Sequence, residues 1–156
     1  MRCTKQQKRS YSGKQKCHTI KSQILVNAKT NEIICTAVRE GKVHDFRIWK
    51  ESQIGRGKKI KLLADKGYQG IQKLHENSRI PFKKTKKKPL TQEPKKFNRQ
   101  LEKERIIVEH INRKVKIFRV LSSRYRNRRQ RFGLRFNIIA GIYNYELYLA
   151  SEKAIA

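Results

Sequence analysis

The chain has 156 residues, with 40 Lys plus Arg against 12 Asp plus Glu, a formal net charge of +28 at pH 7. The length suits one domain with a real core, and at 37% hydrophobic residues composition alone does not mark the chain as disordered. The charge calls for a polyanionic partner, most simply nucleic acid.

Other classes fall away quickly. No apolar run reaches the roughly 20 residues that span a bilayer, and the opening MRCTKQQKRS lacks the apolar core of a signal peptide. The expectation is a cytoplasmic protein, nucleoid-associated if bacterial, with no membrane partner. Cys3, Cys17 and Cys35 are odd in number and widely spaced, which argues against a disulfide framework and a zinc finger. His18, His44, His75 and His110 form no i, i+4 pair, so no helical metal clamp is visible.

In chain order, residues 1–17 are basic and polar, with a turn signal at Ser12-Gly13. The stretch 18–28 is β-rich, Lys29-Thr30-Asn31 predicts a hairpin turn, and 32–39 predicts the return strand. Asp45 can cap a short helix carrying Phe46, Ile48 and Trp49. After the Gly55-Arg56-Gly57 loop, 59–64 predicts a short apolar strand running into Asp65-Lys66-Gly67-Tyr68. Residues 70–77 predict a short helix, and Ile80-Pro81-Phe82 a brief extended piece at an edge or end. Lys83–Lys88 is a basic loop that Pro89 and Pro94 keep from becoming helical.

From Thr91 or Phe97 to Leu121 the pattern is helical, with Leu101, Val108, Ile111, Val115 and Phe118 on one side. Arg124–Arg131 is a very basic link. A second helix is predicted from Phe132 to Leu149, with Phe132, Phe136, Ile139, Tyr143 and Leu147 on one face. The whole is an α/β chain with a mixed sheet.

Chemistry is concentrated in few places, because only two aspartates occur, Asp45 and Asp65. At about 100° per residue, Arg105, Lys116 and Glu102 all fall within about 40° of Glu109 on a helical wheel. Such a face is either a solvated set of ion pairs or a site. Asp65, at the C-terminal end of an apolar strand and before Gly67, is either a turn residue or a ligand at the strand end where α/β sheets gather them. If the helix packs beside that strand, Asp65 and Glu109 become hard oxygen ligands suited to Mg²⁺. Clustered carboxylates of this kind serve two-metal phosphoryl chemistry. Two basic runs, Lys83–Lys88 and Arg124–Arg131, the second with Tyr125 interleaved, suit phosphate contact with little base reading.

Several motifs then resemble one family. They are Tyr11-Ser12-Gly13-Lys14 with His18-Thr19-Ile20-Lys21, and Gly41 with His44-Asp45-Phe46. Ala64-Asp65-Lys66-Gly67-Tyr68-Gln69-Gly70 follows, then Arg105-x3-Glu109-His110 with Lys116. Tyr125-Arg126-Asn127 and Ala140-Gly141-x2-Asn144 close the set. In this order they resemble the DDE transposases of bacterial insertion sequences, of the insertion-sequence-five type, over nearly the whole chain.

The resemblance implies an RNase H-like fold, a mixed sheet flanked by helices, with residues 1–156 as the C-terminal part of the catalytic domain. It implies that Asp65 is the second catalytic acid and Glu109 the third. Both would be ligands of a divalent cation, Mg²⁺ or Mn²⁺. It implies DNA-phosphate positioning by Arg105, Lys116 and Tyr68, with Lys84, Lys87, Arg126 and Arg128 added from the basic runs. The family often has Tyr where this chain has Glu102. The family's first Asp lies on a strand preceding Tyr11, and no Asp or Glu occurs here before Glu32. The first strand and its acid are therefore expected to be lacking, and the isolated chain to fold poorly and cleave little DNA.

The implied partners are DNA at element ends and target, a transposase oligomer, and a fragment from an upstream reading frame. The competing functions are a non-enzymatic basic nucleic-acid-binding protein and a regulatory transposase remnant.

Overall fold

The computed structural model describes residues 10–12, 16–52, 57, 59–84, 89–123 and 131–155. These divide into two units, one of residues up to Val43 together with those from Ile107 onward, the other His44–Ile106.

The first unit opens with a small antiparallel pair, β1 (Tyr11–Ser12) and β2 (Cys17–His18). The predicted hairpin follows, β3 (Ile20–Val26) against β4 (Ile33–Glu40), from Ile20 opposite Glu40 to Val26 opposite Ile33. Its turn is built by asparagines. The Asn27 side chain accepts the Lys29 N–H at 2.9 Å, the Asn31 N–H returns to the Asn27 carbonyl at 2.8 Å, and Asn31 takes the left-handed φ of 62° that Asn tolerates.

Two later helices complete this unit's core. Helix α2 (Gln92–Val115) contributes Ile111 and Val115 from its last turns, and α4 (Phe132–Ile155) contributes Phe136, Ile139, Ala140 and Tyr143. With Ile33 these form one buried cluster, with Ile24, Val26 and Val38 of the hairpin packed against it. The periodicity that predicted both helices marks the faces they bury. Asparagines again fix the packing. Asn144 accepts the Ile33 N–H and donates to the Ile33 carbonyl, each at 2.9 Å. The Thr36 hydroxyl donates to the Asn137 side-chain oxygen, and the Tyr143 hydroxyl to the Asn31 carbonyl at 3.2 Å.

The second unit starts with α1 (Asp45–Ser52), burying Ile48 and Trp49. A two-residue strand, β5 (Leu62–Leu63), pairs in parallel with β6 (Ser78–Arg79). Two turns of 3-10 helix, Lys66–Tyr68 and Ile71–Lys73, lie between them. Leu62, Ala64, Ile71 and Leu101 are buried. The Asn98 side chain pairs with both backbone groups of Phe82, at 2.8 and 3.1 Å, and Phe82 meets Phe97 edge-on at 5.2 Å.

The structure corrects several expectations. Three separate two-stranded ladders stand among the described residues where one mixed sheet was expected. The strand predicted over 59–64 pairs only at Leu62–Leu63, because the Ile60 N–H turns back to the Gly57 carbonyl. The predicted helix over 70–77 is one 3-10 turn. Helix α2 ends at Val115, six residues early; a short α3 (Arg119–Ser122) follows, and Phe118, read as part of the apolar stripe, is exposed. Pro94 lies in the first turn of α2, where its missing N–H costs nothing. The last helix runs to Ile155, beyond the predicted Leu149. Cys17 and Cys35 are free thiols, and Cys3 lies outside the described residues. No described helix is long and apolar enough to cross a membrane.

Candidate functional site

Asp65 stands one residue past Ala64, at the C-terminal end of β5. The Ala64 N–H donates to the Arg79 carbonyl at 3.0 Å, so the parallel ladder is fixed up to the residue before the acid. The chain then turns at once. Asp65 caps the Lys66–Tyr68 turn, with Oδ1 accepting the Lys66 N–H at 2.6 Å, and the Tyr68 N–H donates to the Asp65 carbonyl at 3.0 Å. The sequence offered two readings of Asp65, turn residue or ligand, and the carboxylate does the first while keeping the exposure the second needs: its side chain is 58% exposed.

Helix α2 supplies the counter-charge. Arg105 Nη1 lies 3.3 Å from Asp65 Oδ1, with only 20% of the arginine side chain exposed. One residue earlier, Glu104 accepts from Lys61 Nζ at 2.8 Å, so this stretch of the helix runs beside the β5 strand. That is the packing on which the sequence reading of Asp65 depended. The Lys66 N–H and Arg105 both approach Asp65 at Oδ1. The acid is thus oriented by one oxygen, with Oδ2 on the other side of the carboxylate.

Tyr68 closes the turn and is half-buried. Burial pushes its phenol up to about 12, and the carboxylates of Asp45 and Asp65 push in the same direction, while the Arg105 guanidinium opposes them. At neutral pH it is therefore a protonated phenol, a donor standing among two acids and a guanidinium.

Helix α1 brings Asp45 to the same turn. Its Oδ2 lies 2.9 Å from where a Cβ on Gly67 would sit, and Phe46 lies 3.6 Å from the corresponding position on Gly70, whose φ of +90° suits glycine. The predicted helix-capping position moves by one residue. His44 precedes α1 and its Nδ1 accepts the Phe46 N–H at 3.4 Å, while Asp45 is the first helical residue. Sequence reasoning missed the place of Asp45 beside the Asp65 turn. The available signal is the joint occurrence of His44-Asp45-Phe46 and Asp65-Lys66-Gly67-Tyr68-Gln69-Gly70.

The remaining candidates are distributed. Glu109 is exposed on α2, in the part assigned to the first unit, and Lys116 is exposed just past the end of that helix. Glu102 is exposed on α2 in the second unit. Lys84 is exposed and outside any helix or strand. Lys87, Arg126 and Arg128 lie outside the described residues. Among the described residues, no three His, Cys, Asp or Glu side chains gather where they could hold a metal ion.

A family model described as DDE superfamily endonuclease matches residues 1–144. The chain belongs to the DDE superfamily endonucleases. Among curated relatives it is 53% identical over 145 residues to the probable transposase for insertion sequence element IS702 of Microchaete diplosiphon. The match covers 93% of this chain and 52% of the relative, so the chain spans about half the length of the curated relative it matches. No solved structure matches it significantly. The family resemblance read from the motifs is thereby established.

Proposed function

We propose that this chain provides the C-terminal part of the catalytic core of a DDE transposase. In this proposal it cuts DNA at element ends and transfers the freed strand to target DNA. Asp65 and Glu109 act as two of three carboxylates, and the third comes from residues outside these 156. The ladders would belong to an RNase H-like sheet whose first strand carries that acid. The single observation carrying the reading is the Asp65 turn: an exposed carboxylate at a strand end, held through Oδ1 by a backbone N–H and a half-buried arginine.

In this proposal Asp65 and Glu109 hold a divalent cation, Mg²⁺ or Mn²⁺, for which carboxylate oxygens are suitably hard donors. A cation bound there would polarise the phosphate and acidify a water. In the overall reaction a water oxygen bonds to phosphorus and the bond to the 3′ oxygen breaks. This leaves a 3′-hydroxyl whose oxygen then bonds to a target phosphorus as the target's own P–O3′ bond breaks, releasing a target 3′-hydroxyl.

The chain's own residues have separate tasks. Asp65 and Glu109 supply ligand oxygens. Arg105 orients Asp65 through its ion pair with Oδ1. Tyr68 donates its phenol O–H to a phosphate oxygen. Lys116 and Lys84, with Lys87, Arg126 and Arg128, hold the DNA backbone. A net charge of +28 supports that last role, and binding by phosphate contact falls about 10³- to 10⁵-fold between 50 and 200 mM salt when six to ten phosphates are engaged.

The test is strand cleavage and strand transfer with Mg²⁺, using the chain alone and with the half of the IS702-type relative that it does not match. Alone, little cleavage is expected; with the added half, cleavage appears and is lost in Asp65→Ala and in Glu109→Ala. Mg²⁺-dependent nicking by the pure chain, abolished by Asp65→Ala, would sink the proposal that a third acid comes from elsewhere. A nuclease-free basic binder would instead retain DNA equally well with either acid removed and never cut it.

A further inference from the structure

Within the second unit, α1 meets the Asp65 turn at two adjacent points. Asp45 Oδ2 stands 2.9 Å from the position of a Gly67 Cβ, and the Phe46 ring stands 3.6 Å from that of a Gly70 Cβ. Phe46 is held by Trp49, whose ring stacks at 6.1 Å, and by Lys50 Nζ at 4.4 Å from its ring centre. Trp49 is buried, so this end of α1 is anchored in the unit's core. Its first residue therefore has a fixed position against the turn that carries Asp65.

A carboxylate so placed stabilises nothing by hydrophobic burial. It stands beside Gly67, two residues after Asp65 and within the very turn that Asp65 caps. A methyl group on Gly67 would meet it at 2.9 Å, so the Asp45 carboxylate would have to swing aside to admit one. The spacing of the two motifs, Asp45 and the 65–68 turn, is thus a matched fit: an acid at one position and the absence of a side chain at the other.

We propose that Asp45 is a positioning residue for Asp65. It fixes the Lys66–Gly67 segment, whose amide holds Asp65 Oδ1, and so aims Asp65 Oδ2 at the ligand. This rests on the proposed role of Asp65 as a metal ligand. Tyr68 is consistent with it: both acids act on that phenol, so Asp45 and Asp65 share one electrostatic environment. Groups that orient a ligand from behind it typically change metal affinity by about 10- to 100-fold when removed.

The experiment uses the full 156-residue chain, Mn²⁺ as the probe, and two readouts. One is the Mn²⁺ dissociation constant by electron paramagnetic resonance; the other is the amide NMR shift of Lys66, which needs no metal. Asp45→Ala should weaken Mn²⁺ binding about 10-fold or more and move the Lys66 amide, with the melting temperature little changed. Asp45→Asn, which keeps the shape, should recover part of both.

Gly67→Ala perturbs the same contact from the other side and serves if Asp45→Ala fails to fold. It should cost as much in the native background and add little once Asp45 is alanine, a coupling that independent sites do not show. Native Mn²⁺ affinity and an unmoved Lys66 amide in Asp45→Ala, or strict additivity with Gly67→Ala, would overturn the proposal. Mn²⁺ binding insensitive to Asp65→Ala would instead overturn the metal role of Asp65, and the amide shift with its coupling would then decide the positioning role alone.

Discussion

Replacing Asn144 with alanine isolates the interaction on which the first unit depends. The side-chain amide makes two bonds of 2.9 Å, accepting from Ile33 N–H and donating to Ile33 C=O, and Ile33 is 5% exposed. In Asn144→Ala both backbone groups of Ile33 lose their partner where water reaches them poorly. A typical bond contributes about 1 kcal/mol net, and a stranded buried group costs about 1–3 kcal/mol. The two bonds together therefore make Asn144→Ala about 2–4 kcal/mol less stable. At about 2–4 °C per kcal/mol for a chain of this size, the melting temperature falls by about 5–15 °C.

Urea denaturation followed by circular dichroism measures this directly. Asn144→Asp provides the control. Its carboxylate still accepts the Ile33 N–H but turns a second oxygen toward the Ile33 carbonyl, so it should recover at most part of the loss. A loss below about 0.5 kcal/mol in Asn144→Ala, the range of an ordinary surface change, would refute the reasoning. Asn144, one of the residues through which the family is recognisable, would then need a role in DNA or partner binding.

Two further outcomes are expected. Gly141 lies in the interior of α4, and a Cβ there would meet nothing within 4 Å. Gly141→Ala should therefore stabilise the chain by about 0.5–1 kcal/mol through helix propensity, read from the same urea curves. Tyr68 has its pKa raised from 10 to about 12, chiefly by burial. The folded state thus holds its proton more tightly than the unfolded state, and the associated stability is complete below pH 10 and lost as pH rises through about 12. Between pH 9 and 12, Tyr68→Phe should lose less stability than the native chain; parallel curves for the two would refute the assignment.

The hairpin, both long helices and Asp65 were legible because each rests on a local signal. Asn31 tolerates positive φ, the apolar residues of α4 recur at helical spacing, and an acid follows a short apolar run. What was not legible depends on partners distant in sequence. Asp45 satisfies every local rule for a helix cap, and only the contact with Gly67, 22 residues on, shows a second use. Phe118 continues the apolar stripe of α2 on a wheel, yet the helix ends at Val115 with no Gly or Pro to announce it. The 59–64 strand was read too long because hydrophobicity does not reveal where a backbone partner stops. Leu62–Leu63 has β6 beside it, whereas Ile60, 59% exposed, bonds within its own turn.

The ladders bear on the proposed missing strand. A two-stranded ladder alone is marginal in water, and the described residues contain three of them and no larger sheet. Helix α4 covers β4 and Asn144 occupies the backbone groups of Ile33 in the way a neighbouring strand would, since a side-chain amide offers a donor and an acceptor in one plane. Asn98 does the same for Phe82 in the other unit. These amides each seal one residue; they do not supply a row of partners. Among the described residues β3 pairs only with β4, and its other edge is where our proposal puts the additional strand. The half of the relative that this chain does not match is the source our proposal assigns to that strand. Adding it should therefore protect the β3 amides from hydrogen exchange in the same mixture in which it restores cleavage. Restored cleavage without that protection would mean that the third acid arrives on something other than a strand paired with β3.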